Sequence, residues 1–77
     1  MTVELGLDMG SSFTTLFKKG EGVNLSARSL GEINVQIIME KLGGGGNSTA
    51  AGAQVPQGTV DAVREQLMNA IDEYLEE

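Results

Sequence analysis

The feature that most constrains this chain is a run of four glycines, residues 43–46, followed directly by small residues at 47–53. Glycine has no side chain, so a ligand or another segment can approach this backbone closely. Hydroxyl and amide side chains follow at once, as a phosphate-accepting loop requires. The alternatives are a flexible linker and a helix C-cap, since helices commonly end at glycine. A compact Ala/Gly stretch and a helical pattern come next, and this order is not typical of a linker.

Length and composition indicate one small domain with an aliphatic core. Only three of the 77 residues are aromatic, and we interpret residues 1–77 as a single domain. Such a thin core suggests a partner surface or a neighbouring domain. The net charge of −6 argues against nonspecific duplex binding, which needs a basic face. No segment reaches the ~20 apolar residues of a membrane span, so we expect a cytoplasmic chain without direct membrane contact.

Alternating apolar residues predict a β-hairpin early in the chain. Residues 13–17 are rich in β-branched and aromatic side chains, and residues 23–28 place Val23, Leu25 and Ala27 on one face. Residues 3–7 also fit a short strand, although residues 1–10 could equally be the end of a truncated upstream element. A turn is predicted at residues 10–12 and a further short strand at residues 53–55.

Two helices are predicted, one on each side of the glycine run. Ser29 and Glu32 match a capping box, with Ser29 as the N-cap of a helix that runs through about Leu42. Apolar residues cover much of this helix, from Leu30 onward, so burial on more than one side is expected.

The second helix begins near residues 58–59 and is the most regular pattern in the chain. Its apolar stripe consists of Val60, Val63, Leu67, Ala70, Ile71 and Tyr74. Met39 and Met68 are interpreted as packing residues. The predicted fold class is therefore α+β, with a short sheet made of the hairpin and a later strand, packed by two main helices.

The residue inventory does not favour catalysis by this chain alone. Histidine and cysteine are absent, so the commonest general base, the thiolate nucleophile and the histidine metal ligands are missing. Most acidic residues fall on the predicted outer face of the second helix, where no paired-carboxylate site is indicated. We expect no catalytic residue, no metal site and no cofactor in this chain.

A binding site is instead predicted where the hairpin ends. Arg28 offers a bidentate fork for phosphate or carboxylate beside a predicted helix N-terminus. The alternative is a surface pair with Glu32 or another acid, which contributes little. Ser26 and Asn24 share the strand face with Arg28, so these three polar groups could line one edge of a cleft, and Asn34 lies on the first helical turn. If the glycine loop folds back beside this strand, Asn47, Ser48 and the glycine amides complete an anion or nucleotide pocket.

Three segments, residues 26–35, 39–46 and 50–54, together resemble the DHHA1 domain, the C-terminal substrate-binding lobe of DHH-family phosphoesterases. The similarity covers roughly residues 11–75 and is closest to bacterial cyclic-di-AMP phosphodiesterases of the membrane-anchored GGDEF–DHH type. The resemblance implies an Asp-His-His lobe, absent here, whose two divalent metals, usually manganese, activate a water. The DHHA1 lobe would bind the nucleotide, and the isolated chain would be an inactive part of a bacterial signalling hydrolase.

The resemblance also implies roles for individual residues. Arg28 would contact phosphate or ribose, and the glycines would let the substrate approach the backbone. The residue after the glycines, usually histidine in the family, is Asn47 here; asparagine can hydrogen-bond an oxyanion but carries no charge, so weaker phosphate binding is expected. The predicted substrate-binding residues are Arg28, Ser26, Asn34, Gly44, Gly45, Gly46, Asn47 and Ser48.

Two other functions stay open on the sequence alone. DHHA1 domains also occur at the end of alanyl-tRNA synthetases, which suggests an RNA-binding accessory domain, although the acidic charge and the few aromatics argue against it. The third hypothesis is a structural module that supports a homodimer or the neighbouring lobe. The expected partners are a cyclic or linear dinucleotide and the catalytic DHH lobe, with RNA or a second copy as the alternatives.

Overall fold

The computed structural model describes the backbone of residues 2–6 and residues 12–76 in full. The elements are β1 (Thr2–Gly6), β2 (Phe13–Lys19), β3 (Gly22–Arg28), α1 (Val35–Lys41), β4 (Gly45–Gly46), β5 (Ala50–Val55) and α2 (Val60–Glu76). The strands form one sheet in the order β1-β2-β3-β5-β4, and every neighbouring pair is antiparallel. The α+β fold class is confirmed. The strand predicted near the N-terminus is β1, whereas the turn predicted at residues 10–12 lies, apart from Ser12, outside the described residues.

The predicted hairpin is β2 and β3, and its turn fixes the register of the sheet. Gly20 and Glu21 form a two-residue loop between the paired residues Lys19 and Gly22. Gly20 has φ +60°, the left-handed region that a two-residue hairpin loop with glycine in its first position uses. This register places Leu16 opposite Leu25, so apolar side chains of both strands share one face.

The helices cover that apolar face of the sheet. Val23, Leu25 and Ala27 are buried there, as predicted. The core consists of Leu16, Val23, Leu25, Ala27, Val35, Ile38, Met39, Ala53, Val63, Leu67, Ala70 and Ile71. Among the described residues both helices pack on this side, because the core joins residues of both to β2, β3 and β5. The opposite face of the sheet carries the alternate residues of each strand and is partly exposed.

Helix α2 follows the predicted pattern, with one exception among the methionines. Its predicted stripe is buried or packed against the core, since those residues recur at helical spacing. Met39 of α1 is fully buried, as expected, but Met68 is 44% exposed. The interpretation of Met68 as a packing residue was therefore wrong, because it follows Leu67 and turns away from the buried stripe. Within the described part of the chain, no helix is long and apolar enough to span a membrane.

Helix α1 begins later than the capping box predicted. Its N-cap is Asn34, whose Oδ1 accepts hydrogen bonds from the backbone N–H of Gln36 and Ile37 at 3.1 and 3.3 Å. Ser29 instead forms a turn before the helix, where its Oγ accepts from the N–H of Gly31 at 3.0 Å. Gly31 has φ +112°, a conformation that no residue adopts within a right-handed helix.

The late start of α1 changes two predicted features of its N-terminus, the burial of Leu30 and the free N–H groups. Leu30 is 82% exposed instead of lying in an apolar stripe. The first three N–H groups of the helix already have hydrogen-bond acceptors. The N–H of Val35 donates to the Ser48 carbonyl at 3.1 Å, and the N–H groups of the next two residues donate to the side chain of Asn34. The prediction of free helix N–H groups beside Arg28 was therefore wrong.

Candidate functional site

The first two glycines of the run end helix α1. Gly43 has φ +84°, and its N–H donates to the Glu40 carbonyl at 3.1 Å. The N–H of Gly44 donates to the Met39 carbonyl at 2.8 Å. This pair of hydrogen bonds is a Schellman motif, the common way in which a glycine ends a helix. The C-cap alternative therefore describes Gly43 and Gly44, and their amides are not free to bind a ligand.

The last two glycines form the short strand β4 and turn back along β5. Gly45 pairs with Gly52, and Gly46 pairs with Ala51. A side chain at Gly44 would overlap the Gly52 carbonyl and lie 2.7 Å from the Cβ of Ala53, whereas Gly45 has open space where a side chain would be. Close packing explains why glycine is needed at position 44. Position 45 instead leaves a gap on the sheet surface.

Asn47 closes the turn between β4 and β5. Its Oδ1 accepts hydrogen bonds from the N–H of Thr49 at 3.0 Å, from the Thr49 hydroxyl at 3.1 Å and from the N–H of Ala50 at 2.9 Å. The N–H of Asn47 donates to the Ala50 carbonyl at 2.8 Å. Asparagine side chains commonly stabilise turns in this way. The Nδ2 group of Asn47 is the part of the side chain left to contact a ligand.

The turn is held against the segment that precedes α1. The N–H of Ser29 donates to the Thr49 carbonyl at 2.9 Å, and Val35 donates to the Ser48 carbonyl. These two bonds connect the hairpin of β4 and β5, here called the glycine hairpin, to both ends of the segment 29–35. The glycine run is therefore a fixed part of the fold, and the linker alternative was wrong.

The open face of the sheet contains an elongated cleft in front of the glycine hairpin. One part has a volume of about 530 Å³ and is lined by Phe17, Asn24, Leu25, Ser26, Gly43, Gly44, Gly45, Gly52, Ala53 and Gln54. The adjoining part, about 360 Å³, is lined by Ser26, Ala27, Arg28, Gly45, Gly46, Ala50, Ala51 and Gly52. The two parts share Ser26, Gly45 and Gly52. Both volumes fall in the range of small-molecule sites.

The cleft exists because small residues line up across the strands. Ser26 pairs with Gly52, and Gly52 pairs with Gly45, so the middle of the open face carries little more than backbone. The next rows on either side hold larger side chains: Asn24 beside Gln54 in one direction, and Arg28 beside Ala50 in the other. Strand β4 thus lies beside β5, and β5 separates it from Ser26 and Arg28 on β3.

Arg28 is an exposed cation at one end of this cleft. Its guanidinium makes no hydrogen bond or ion pair with any of the described residues, so the alternative of a surface pair with Glu32 or another acid is not formed among them. Asn47 lies in the same cross-strand row, because Arg28 and Asn47 flank Ala50 from its two sides. An anion above Ala50 would therefore meet a guanidinium from one side and a carboxamide from the other.

The structure brings together most, but not all, of the predicted site residues. Ser26, Arg28 and the last three glycines line the cleft. Asn34 does not line it, and its Oδ1 caps helix α1. Asn47 and Ser48 also lie outside the cleft lining: Asn47 stabilises the turn beside the cleft, and Ser48 contributes its backbone carbonyl to the bond with Val35.

Sequence reasoning left out several residues of the cleft, among them Phe17, Gly52 and Gln54. The position of Phe17 could have been predicted, since strict alternation along the strand places it on the sheet face opposite to that of Leu16, away from the core. The signal for Gly52 and Gln54 was weaker, because their facing depends on a strand register that only the structure reveals. No group of three or more acidic side chains that could hold a metal ion occurs in residues 12–76.

Comparison with known proteins places this chain in a family. The family model of the DHHA1 domain matches residues 4–77. The chain is 55% identical over 60 residues to a cyclic-di-AMP phosphodiesterase, GdpP, of Geobacillus thermodenitrificans, which covers 77% of this chain and 9% of that protein. It is 47% identical over 64 residues to the cyclic-di-AMP phosphodiesterase PdeA of Listeria monocytogenes, covering 83% of this chain and 10% of that protein.

A further relative has a different activity in its name. The bifunctional oligoribonuclease and PAP phosphatase NrnA of Thermus thermophilus is 43% identical over 60 residues, which cover 78% of this chain and 18% of that protein. The chain thus spans about a tenth of the length of the cyclic-di-AMP phosphodiesterases that it matches. The extent of the family match and these identities show that the chain belongs to the DHHA1 domain family.

Proposed function

We propose that this chain is the nucleotide-binding domain of a phosphodiesterase that acts on cyclic-di-AMP or on short linear oligonucleotides. The observation that carries the proposal is the cleft of the open sheet face, which has a floor of glycine backbone and, at one end, an arginine that is unpaired among the described residues. A phosphate needs a charged donor and close backbone approach, and both are present here. The names of the relatives supply the substrate class.

Arg28 is the main phosphate ligand in this proposal. Among the described residues it is the one cation of the cleft lining, and a guanidinium binds phosphate oxygens through two parallel hydrogen bonds. The Nδ2 group of Asn47 donates to the same phosphate from the other side of Ala50. Because Asn47 adds no positive charge, Arg28 supplies the electrostatic part of the affinity.

The chemical step belongs to a catalytic lobe outside this chain. A DHH lobe with two divalent metals would activate the attacking water, while this domain binds and orients the dinucleotide. The chain alone would then bind nucleotide without hydrolysing it. Hydrolysis of cyclic-di-AMP by the purified 77-residue chain in the presence of manganese would contradict this division of roles.

The test is an NMR chemical-shift titration of the labelled chain with the linear diadenylate pApA, cyclic-di-AMP, AMP and ATP. The expected result is saturable shifts at Ser26, Arg28, Gly45 and Asn47, and loss of these shifts in Arg28→Gln. Arg64→Gln is the matched control, because Arg64 is an exposed arginine of α2 and lies outside the cleft lining. The proposal is overturned if no ligand gives saturable shifts at millimolar concentration.

A further inference from the structure

We propose that the larger part of the cleft is a base subsite, in which Phe17 stacks on an adenine and the amides of Asn24 and Gln54 bind its edge. This inference rests on the proposed function and adds to it the orientation of the nucleotide and the preference for its base. The phosphate would lie at Arg28 and the base at the opposite end.

The position of Phe17 is the first observation behind this subsite. Leu16 is fully buried, so its neighbour Phe17 lies on the open face of the sheet. Phe17 lines the larger part of the cleft and is half-buried, although both helices pack on the other face. An aromatic ring with one accessible side on a sheet surface is the usual platform for a nucleic-acid base.

Two side-chain amides beside this ring provide the second observation. Phe17 pairs with Asn24, and Asn24 pairs with Gln54, so the three form one row across β2, β3 and β5. Neither amide makes a side-chain hydrogen bond with another described residue, and both line the cleft. A carboxamide presents a donor and an acceptor side by side, which matches N7 and the N6 amino group of adenine.

The spacing of the rows fits one nucleotide. Asn24 and Arg28 are four residues apart on β3, a separation of about 13 Å. The row of Ser26, Gly52 and Gly45 lies midway between them. A base above the Phe17 row and a phosphate at Arg28 would place the ribose over these small residues.

The experiment compares AMP with ribose 5-phosphate, which carries the same phosphate without the base. Dissociation constants are measured by NMR titration of the 77-residue chain. Stacking on an aromatic side chain is expected to make AMP about tenfold tighter than ribose 5-phosphate. Phe17→Leu is expected to reduce this ratio to about one, whereas Phe17→Tyr, which keeps a ring, restores it.

Two sets of variants make the comparison specific. Phe13→Leu is the matched control, because Phe13 lies on the same strand and the same face but lines neither part of the cleft; it should leave the ratio unchanged. The double variant with Asn24→Ala and Gln54→Ala should weaken AMP and leave ribose 5-phosphate unaffected. The two-dimensional spectrum of each variant verifies that it is folded.

The outcomes separate this inference from the proposed function. Equal affinity of the wild-type chain for AMP and ribose 5-phosphate would overturn the base subsite while the phosphate site stands. An unchanged ratio in Phe17→Leu would overturn the role of Phe17 in the same way. Absence of binding by both ligands would overturn the proposed function and this inference with it.

Discussion

The hydroxyl of Tyr74 accepts a hydrogen bond from the backbone N–H of Asn34 at 3.0 Å, across 40 residues of sequence. Asn34 is the N-cap of α1, and Tyr74 lies near the end of α2. One phenol thus connects the last turn of α2 to the start of α1. The bond fixes the residue that begins α1, and the segment before this residue holds the glycine turn.

Tyr74→Phe tests this connection. The variant keeps the ring against the core and leaves a partly buried N–H of Asn34 without its acceptor. We expect the free energy of unfolding to fall by about 1 kcal/mol, measured by urea denaturation. An unchanged midpoint and slope would show that water replaces the phenol without cost.

Asn34→Ala should be more costly than Glu32→Ala. Asn34 accepts two helix N–H bonds, and loss of such an N-cap costs about 1 kcal/mol. Glu32 is exposed, so its replacement should change the free energy of unfolding by less than about 0.5 kcal/mol. A capping box that used Ser29 and Glu32 would give the opposite order in the same denaturation experiment.

The helix start shows where sequence reasoning reaches its limit. Residues Ser29 to Glu32 satisfy the local rule for a cap, but Gly31 adopts φ +112° and the chain forms a turn first. The backbone N–H of Asn34 then donates to Tyr74, 40 residues further along the chain, and a capping pattern of neighbouring residues cannot reveal such a contact. In contrast, α2 and the β2–β3 hairpin could be predicted, because their apolar periodicity alone determines which side faces the core.

The residues of the candidate site also differ in whether a local sequence pattern could predict them. Ser26 and Arg28 were predictable, since alternation on one strand places them on one face. The different roles of the four glycines were not predictable from the sequence. The amides of Gly43 and Gly44 cap α1, whereas Gly45 pairs with Gly52 on β5. The contribution of Gln54 likewise depends on the β3–β5 register, a contact between segments distant in sequence.

Gly44→Ala and Gly45→Ala should separate stability from binding. A methyl group at position 44 would overlap the Gly52 carbonyl and crowd Ala53, so we expect a loss of roughly 1–3 kcal/mol in the free energy of unfolding. Position 45 has open space, so the change in that free energy should stay below about 1 kcal/mol.

Gly45→Ala, which should keep the stability of the wild type, should nevertheless lose affinity for the nucleotide. The methyl group of Gly45→Ala would stand on the floor of the cleft, in the row that Gly45 forms with Gly52 and Ser26, and would weaken binding of AMP while the fold is retained. The two variants are compared by thermal denaturation and by NMR titration. Wild-type AMP affinity in Gly45→Ala would exclude the cleft floor as the place of the ribose.

Asn47→Asp should retain the turn and weaken phosphate binding. An aspartate keeps an oxygen that can accept the hydrogen bonds from Thr49 and Ala50, so the free energy of unfolding should change by less than about 0.5 kcal/mol. The added negative charge repels a phosphate held at Arg28. At about 4 Å in water this repulsion is close to 1 kcal/mol, or about fivefold in the dissociation constant of AMP.

The repulsion is electrostatic, so its dependence on salt distinguishes it from a steric effect. The difference between Asn47→Asp and the wild type should shrink as the ionic strength rises from about 0.01 to 1 M, because the Debye length falls from about 30 to 3 Å. Asn69→Asp adds the same charge on the exposed face of α2 and should leave AMP affinity nearly unchanged at either salt concentration. Equal weakening by both variants would mean that the total charge of the chain, and not the position of Asn47 beside the phosphate, controls the affinity.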